Sequence, residues 1–284
     1  MLDLAAALAW AGSHVGSPVA SHERLAGGMT SRILALDHLD GSQTVLRLMT
    51  NEPWRTHGAE LTARERDAQR FLAGTAVPAP TSLALDAEGG TCGVAAHLMT
   101  RLPGAAAGRV EDLDLAAMAR LLADIHRLRP AEPFRDYQSW AWEAKRVVPP
   151  WARHPASWRR AFEVLAGRAP AYEPTFLHRD FGHRNLLWTD GGISGVVDWV
   201  ETSTGPAWLD AAHAASTLAV LLDTGVGAAF LEDYAAPAGE PLHPYWLVMD
   251  AVGYLPPPGK PLMFRLPEQV ERLDAWLDEV VRLS

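Results

Sequence analysis

Near residue 103 the hydrophobic period changes, and that change limits the folds open to this chain more than any other feature. Before it, short apolar stretches, partly β-branched, are separated by turn signals. "RILALDHL" and "QTVLRLM" flank "DGS", and "TSLALDAEGGTCGVAAHLMTRL" reads as a second strand pair turning at Gly89 and Gly90. One helix interrupts the strands, "ELTARERDAQRFL" from Glu60 to Leu72, with apolar residues at helical spacing and a charged outer face; "VPAP" stops it. After residue 103 the period is helical in "DLDLAAMARLLADIHRL", the tryptophan-rich "SWAWEAKRVVPPWARHPASWRRAFEVLAG", "AWLDAAHAASTLAVLLDT", "AFLEDYAA" and "EQVERLDAWLDEVVRL". The exception is "NLLW", "TDGG" and "ISGVVDW", a two-stranded ribbon closed by a glycine-containing turn. The expected class is α+β, with a small β-rich lobe over residues 1–103 and a larger, mainly helical lobe over 104–284. The connector falls near Pro103 and Gly104, and a cleft between the lobes is expected to hold the ligand.

A length of 284 residues suffices for one large domain or two packed lobes. Hydrophobic residues make up 48% and charged residues 21%, ordinary for a globular protein, and no apolar run nears the roughly 20 residues a bilayer demands. The apolar start "MLDLAAALAWAG" contains Asp3 and no preceding basic residue, which reads as a first helix and not as a secretory signal. Cys92 is the only cysteine, so no disulfide or thiolate cluster can form within one chain, and the expected location is the cytoplasm. The net charge of −9 argues against nucleic acid as a partner. Residues 1–103 carry 10 acidic against 8 basic side chains, the remainder 24 against 17, so most of the excess lies in the second part. A field of that sign favours a cationic small molecule, although most such charges are solvated surface.

In "FLHRDFGHRNLLW", residues 176–188, Asp180 and Asn185 stand five positions apart. That is the spacing of a kinase catalytic loop, in which the Asp orients the acceptor hydroxyl and accepts its proton while the Asn binds magnesium. Asp198, in "GVVDW", lies 13 positions beyond Asn185 at the end of the return strand, so the ribbon is expected to bring the two side chains close together. Magnesium suits a few hard oxygen ligands completed by phosphate oxygens, and phosphoryl transfer needs positioning and charge neutralisation more than covalent chemistry from the protein. His178 and His183 are spaced like metal ligands, but with one cysteine and no third matching ligand a zinc site is not expected; His178 is expected to brace the turn.

Together "FLHRDFGHRNLLW", "ISGVVDW" and "GPAWLDAA" resemble the aminoglycoside phosphotransferase superfamily, small-molecule kinases related in fold to protein kinases. The resemblance covers nearly the whole chain and implies a bilobal protein-kinase-like fold with ATP or GTP and Mg2+ as cofactors. "LAGGMTSRILAL", with Gly27 and Gly28, resembles the nucleotide-covering hairpin, "TVLRL" the phosphate-contacting strand, and "RERDAQRFL" with "VPAP" the helix and its exit. "HLMTRLPG" resembles the hinge, implying an adenine contact at the backbone of Thr100 and Leu102 with Met99 packed on the base. The family places a basic residue inside "TVLRL" to hold phosphates. Lys145 and Lys260 are the only lysines, so Arg47 is expected to substitute, with Glu65 as its implied partner. Arginine keeps the charge and adds bidentate geometry, but it is longer and stiffer than lysine. His183 and Arg184 are larger than the residues commonest at those family positions, and Arg184 is a candidate contact to the transferring phosphate. Asp210 is implied to steady the catalytic loop. Glu201 is either surface or a contact to a cationic acceptor. Trp151, with Trp140, Trp142 and Trp158, falls where the family builds part of the acceptor pocket, although aromatic residues at such spacing more often form helix core.

The expected function is an ATP- and magnesium-dependent kinase acting on a small-molecule hydroxyl, with Asp180 as base and Asn185 and Asp198 as metal ligands. By analogy the acceptor is a cationic, aminoglycoside-like antibiotic and the protein a resistance enzyme. A macrolide, a cyclic peptide, or a metabolite such as choline or homoserine is the alternative. Protein-kinase activity is disfavoured, because Trp199 follows Asp198 where Phe-Gly would stand and no Ala-Pro-Glu lies downstream. A nucleotide-binding pseudokinase, the reading from another class, would be expected to lose one of Asp180, Asn185 or Asp198; all three are present.

Overall fold

The computed structural model describes residues 2–27, 30–239, 241–264 and 266–284; Gly28 lies outside them. Two compact units are resolved, Met1–Ala105 with Leu186–Thr202, and Ala106–Asn185 with Ser203–Ser284. The first carries an antiparallel sheet and the second is mainly helical.

In the first unit, strands β1 (Val19–Arg24), β2 (Arg32–His38), β3 (Gln43–Leu48), β4 (Ser82–Asp86) and β5 (Ala96–Thr100) form a five-stranded sheet in the order β1-β2-β3-β5-β4. The two-residue alternation of side chains gives the sheet two different faces. Leu34, Leu36, Leu46, Leu48, Ala96 and Leu98 share one apolar cluster with Ala7 and Ala11 of helix α1 (Leu4–Val15). Arg47 and His97 are direct cross-strand partners pointing to the opposite face, where helix α2 (Gly58–Leu72) presents a buried Glu65. β1, almost fully exposed along its length, has no apolar alternation that would announce it in the sequence.

The expected strand pair forms, β4 against β5, with Gly89 and Gly90 inside a loop that extends to Ala96, where β5 begins. The carboxylate of Asp86 organises that loop, accepting from the amides of Gly90 (2.9 Å), Thr91 (2.9 Å) and Cys92 (2.8 Å). At the connector, Gly104 has φ +98°, and a Cβ there would stand 2.4 Å from the carbonyl oxygen of Trp188, so only glycine fits. The strand β6 (Ala105–Ala106) follows it.

The ribbon after residue 185 forms as expected, with β8 (Leu186–Thr189) paired to β9 (Gly192–Val196) around a turn in which Gly192 has φ +105°. It belongs to the sheet-bearing unit, whereas the change of period assigned it to the helical lobe. The cause is local bonding: the Val196 amide donates to Pro78 O at 2.7 Å, Ser194 Oγ to Pro103 O at 2.7 Å, and Arg64 Nη1 to Val200 O at 2.6 Å.

The second unit holds helices α3 (Leu115–Arg127), α4 (Pro155–Ala166), α5 (Ala207–Leu221), α6 (Thr224–Ala238), α7 (Pro244–Gly253) and α8 (Pro267–Val281). A short antiparallel pair, β7 (Thr175–Leu177) with β10 (Ser203–Gly205), lies at its centre in sequence. α5 is buried on nearly every side. The tryptophan-rich segment is helical only over α4; before it the chain is irregular save for one 3-10 turn at Glu143–Lys145. Pro149 and Pro150 offer no amide for a helical ladder. Trp158 is buried and donates from Nε1 to Asp274 Oδ1 at 2.7 Å, and Trp151 meets it edge to face at 5.7 Å. No helix of the described residues is long and apolar enough to cross a membrane.

Candidate active site

In the first unit a polar chain runs through an otherwise apolar interior. Arg47, 3% exposed, donates from Nε to Glu65 Oε2 at 2.9 Å and from Nη2 to Glu65 Oε1 at 3.0 Å, the bidentate geometry that lysine cannot make. Its Nη1 reaches Ser31 Oγ at 3.0 Å, and Nη2 also reaches Asp198 Oδ1 at 3.0 Å. Glu65 Oε2 bonds in addition to His97 Nδ1 at 2.9 Å, and His97 Nε2 lies 3.0 Å from Ser82 Oγ. Burial alone would raise the Glu65 pKa, but the Arg47 charge and the His97 hydrogen bond outweigh it and hold the carboxyl well below its usual range.

A depressed carboxyl contributes stability that is fully present above its unfolded-state value, about 4.3 for Glu, and is lost as the pH falls toward the folded value. Glu65→Gln also leaves part of a buried cation unbalanced, a change of about 3–5 kcal/mol. Urea unfolding should therefore show the largest gap between wild type and E65Q above about pH 5, narrowing on acidification. A gap independent of pH would contradict the pairing.

Asp198 closes the ribbon in a left-handed conformation, φ +68°, unusual for any residue but glycine and of the kind that collects at functional sites. Trp199 fixes the turn that follows: it is fully buried and donates from Nε1 to Val196 O at 2.8 Å.

In the second unit the loop after β7 hangs on Asp210 of α5. This buried carboxylate accepts from the amides of His178 at 2.7 Å and Arg179 at 2.8 Å and lies 3.3 Å from His126 Nε2. Arg179 also has positive φ, +74°, with its guanidinium 4.0 Å from the ring centre of Trp140. The loop thereby presents Asp180 with its side chain 39% exposed. Asn185 Nδ2 donates to Asp180 O at 2.8 Å and Oδ2 at 3.0 Å, while His213 Nε2 lies 3.0 Å from Oδ1. Burial would raise the Asp180 pKa; the hydrogen bond and charge of His213 prevail and keep it low, so the group is a carboxylate at neutral pH. His183 is buried, and burial followed by the charge of Arg184 pushes its pKa down to about 4, so it is neutral.

The remaining expected residues fall as follows. Gly27 has φ +102° before β2. Thr100 has committed its amide to Thr81 O at 3.0 Å, so that amide is already taken and does not serve an adenine contact. Met99, expected to pack on the base, is 4% exposed with its sulfur accepting from Gln69 Nε2 of α2 at 3.3 Å. Leu102 packs over Gly195. Glu201 ends the 3-10 turn Trp199–Glu201, Trp151 packs on Trp158, and Arg184 is exposed. Sequence reasoning did not single out Ser31, His97, His213 or Asp250. His213 stands three residues after Asp210, on the same helix face, which was the available signal.

Among the described residues, no group of three or more His, Cys, Asp or Glu side chains could hold a metal by itself. Asn185 spends its amide nitrogen on Asp180, which leaves its side-chain oxygen as an acceptor, and Asp198 offers carboxylate oxygens. Oxygen donors of these kinds suit magnesium, which keeps waters and phosphate oxygens as its other ligands.

A family profile described as "Phosphotransferase enzyme family" matches residues 21–251. Among solved structures, the aminoglycoside phosphotransferase APH(4)-Ia is similar over 99% of each chain, at 18% identity and a TM-score of 0.70. A thermostable mutant of it, in ternary complex with ADP and hygromycin B, aligns over 97% of each chain at 19% identity and TM-score 0.64. The aminoglycoside phosphotransferase APH(3'')-Id from Streptomyces rimosus aligns over 89% of this chain and 99% of its own, at 20% identity and TM-score 0.61. An amicoumacin kinase in complex with AMP-PNP, Ca2+ and Ami aligns over 93% of this chain and 88% of its own, at 13% identity and TM-score 0.59. At these identities the likeness is one of fold. No curated protein matches the sequence.

Proposed function

The chain belongs to the phosphotransferase enzyme family and is a small-molecule kinase, and from that premise we propose that it transfers the γ-phosphoryl group of ATP or GTP to a hydroxyl of a cationic small molecule. The observation that carries the proposal is the state of Asp180: ionised, part-exposed, and held through both carboxylate oxygens by His213 and Asn185. A carboxylate so fixed can orient an acceptor hydroxyl and take its proton. The hydroxyl oxygen attacks the γ-phosphorus, the bond to the β–γ bridging oxygen breaks with ADP (or GDP) leaving, and the hydroxyl proton passes to Asp180.

Arg47, fixed by Glu65, is the group proposed to hold nucleotide phosphates, with Gly27 in the covering turn and the Thr100 carbonyl and Leu102 on the adenine side. Asn185 and Asp198 would hold Mg2+, which when bound neutralises phosphate charge. Glu201, Trp151 and Arg184 are proposed for the acceptor side.

The acceptor class rests on two supports. The excess negative charge lies mostly beyond residue 103, which favours a cation. Two proteins of similar fold are described in complex with the antibiotics hygromycin B and amicoumacin. A role in antibiotic resistance, exercised in the cytoplasm, follows from that acceptor class.

The test is ADP release from ATP and Mg2+ by the purified protein across aminoglycosides, cyclic peptides, macrolides and amino alcohols, with mass spectrometry of the product. An amine-bearing acceptor should emerge as a phosphate monoester. Nucleotide binding without turnover on any acceptor would favour a non-catalytic nucleotide-binding protein.

A further inference from the structure

In the scheme above His213 enters only as a neighbour that holds Asp180, and Asp250 does not enter at all, yet the two stand together directly behind the central carboxylate. His213 comes from α5 and Asp250 from α7, and the two form a chain: Asp250 Oδ1 to His213 Nδ1 at 3.1 Å, His213 Nε2 to Asp180 Oδ1 at 3.0 Å. The imidazole is fixed on its remaining sides as well. Tyr254 stacks on it, with centroids 5.9 Å apart and 9° between planes, and its own hydroxyl is tied to Thr217 Oγ1 at 2.7 Å. Trp140, itself under the Arg179 guanidinium, meets the ring edge-on at 5.2 Å.

Asp250 is 3% exposed in an otherwise apolar helix, and its Oδ2 has no hydrogen-bond partner among the described residues. A buried carboxylate in such surroundings is costly, and a buried ion pair is often matched or bettered in stability by well-packed apolar side chains. Packing therefore gives no reason for the pair, but its position at Asp180 does.

We infer that His213, backed by Asp250, is a positioning residue for phosphoryl transfer: it clamps Oδ1 of Asp180 so that Oδ2 faces the acceptor hydroxyl. The inference rests on the assignment of Asp180 proposed above. Asn185 donates to Oδ2 from one side at 3.0 Å, so with Oδ1 also held the carboxylate has a single orientation, and Oδ2 keeps one lone-pair region for the incoming hydroxyl. The charged groups facing His213 are Asp180 from the catalytic loop and Asp250 from α7, with Arg179 across Trp140; Tyr254 is the remaining titratable neighbour. Burial would lower the His213 pKa, but the Asp250 charge and the Asp180 hydrogen bond push it up to about 10, so the clamp stays cationic through the neutral range.

The test is the pH profile of kcat for wild type, H213Q, D250N and D180N, measured as ADP release from ATP and Mg2+ with hygromycin B, and with water as acceptor. H213Q should lose roughly 10- to 100-fold in kcat, the range for removal of an orienting partner, with the KM for ATP unchanged. D250N should bring the alkaline limb to lower pH, because His213 then releases its proton earlier. A purely structural role would scale activity at every pH without moving that limb, and that result overturns the inference. Should a variant fail to fold, 15N spectra of the wild-type histidine rings decide. A proton held on His213 Nε2 at pH 8 supports the clamp, and an unprotonated Nε2 there overturns it. Wild-type turnover in D180N would refute the Asp180 assignment itself, whereas an inactive D180N beside an H213Q with wild-type kcat would sink the clamp alone.

Discussion

Asp180→Asn should lower turnover by roughly 10^3-fold, within the range general-base groups contribute, while affinity for AMP-PNP stays close to wild type. The substitution conserves size and removes only the charge and the proton-accepting oxygen. Asp210 still carries the loop through the amides of His178 and Arg179, so the backbone has no cause to move. The amide introduced cannot satisfy His213 and Asn185 together as well as a carboxylate does, since both neighbours donate. Loss should therefore fall on kcat and spare nucleotide binding. Calorimetry with AMP-PNP separates the two, and equal losses in both would mean that Asp180 acts as scaffold.

Asp198→Ala should instead abolish the magnesium dependence of nucleotide binding. Arg47 would lose one acceptor at 3.0 Å but keep both bonds to Glu65 and the one to Ser31, so the polar chain beneath the sheet survives. Binding of AMP-PNP measured with and without Mg2+ should differ strongly in the wild type and not in D198A. An unchanged magnesium effect in D198A would show that this carboxylate is not the ligand and that its salt bridge to Arg47 is structural only.

How far the sequence could be read depended on how local each cause was. The ribbon at residues 186–196 and the Asp180–Asn185 spacing are fixed by neighbours in the chain, and both were legible. Arg47 with Glu65 as its partner was implied by the family resemblance, no lysine preceding residue 145, and the structure does pair the two. α7 was not legible, because an all-apolar "WLVM" run has no polar face to set a period. The tryptophans misled in the opposite direction: Trp158, tied to Asp274, lies in α4, while Trp140 sits in irregular chain against Arg179 and His213. His97, His213 and Asp250 could not be assigned because each acquires its meaning from a residue brought up by a different element. His97 needs α2 beside β5, and Asp250 needs α7 beside α5.

A rapid-quench single turnover, with enzyme preloaded with ATP and Mg2+ and then mixed with the acceptor found in the panel, bears most directly on the central assignment. Wild type should convert its bound nucleotide to one equivalent of ADP and one of phosphate monoester, while D180N holds its ATP intact over the same interval. Monoester formation at the wild-type rate in D180N, or release of inorganic phosphate alone from the wild type, would contradict transfer to a hydroxyl governed by Asp180.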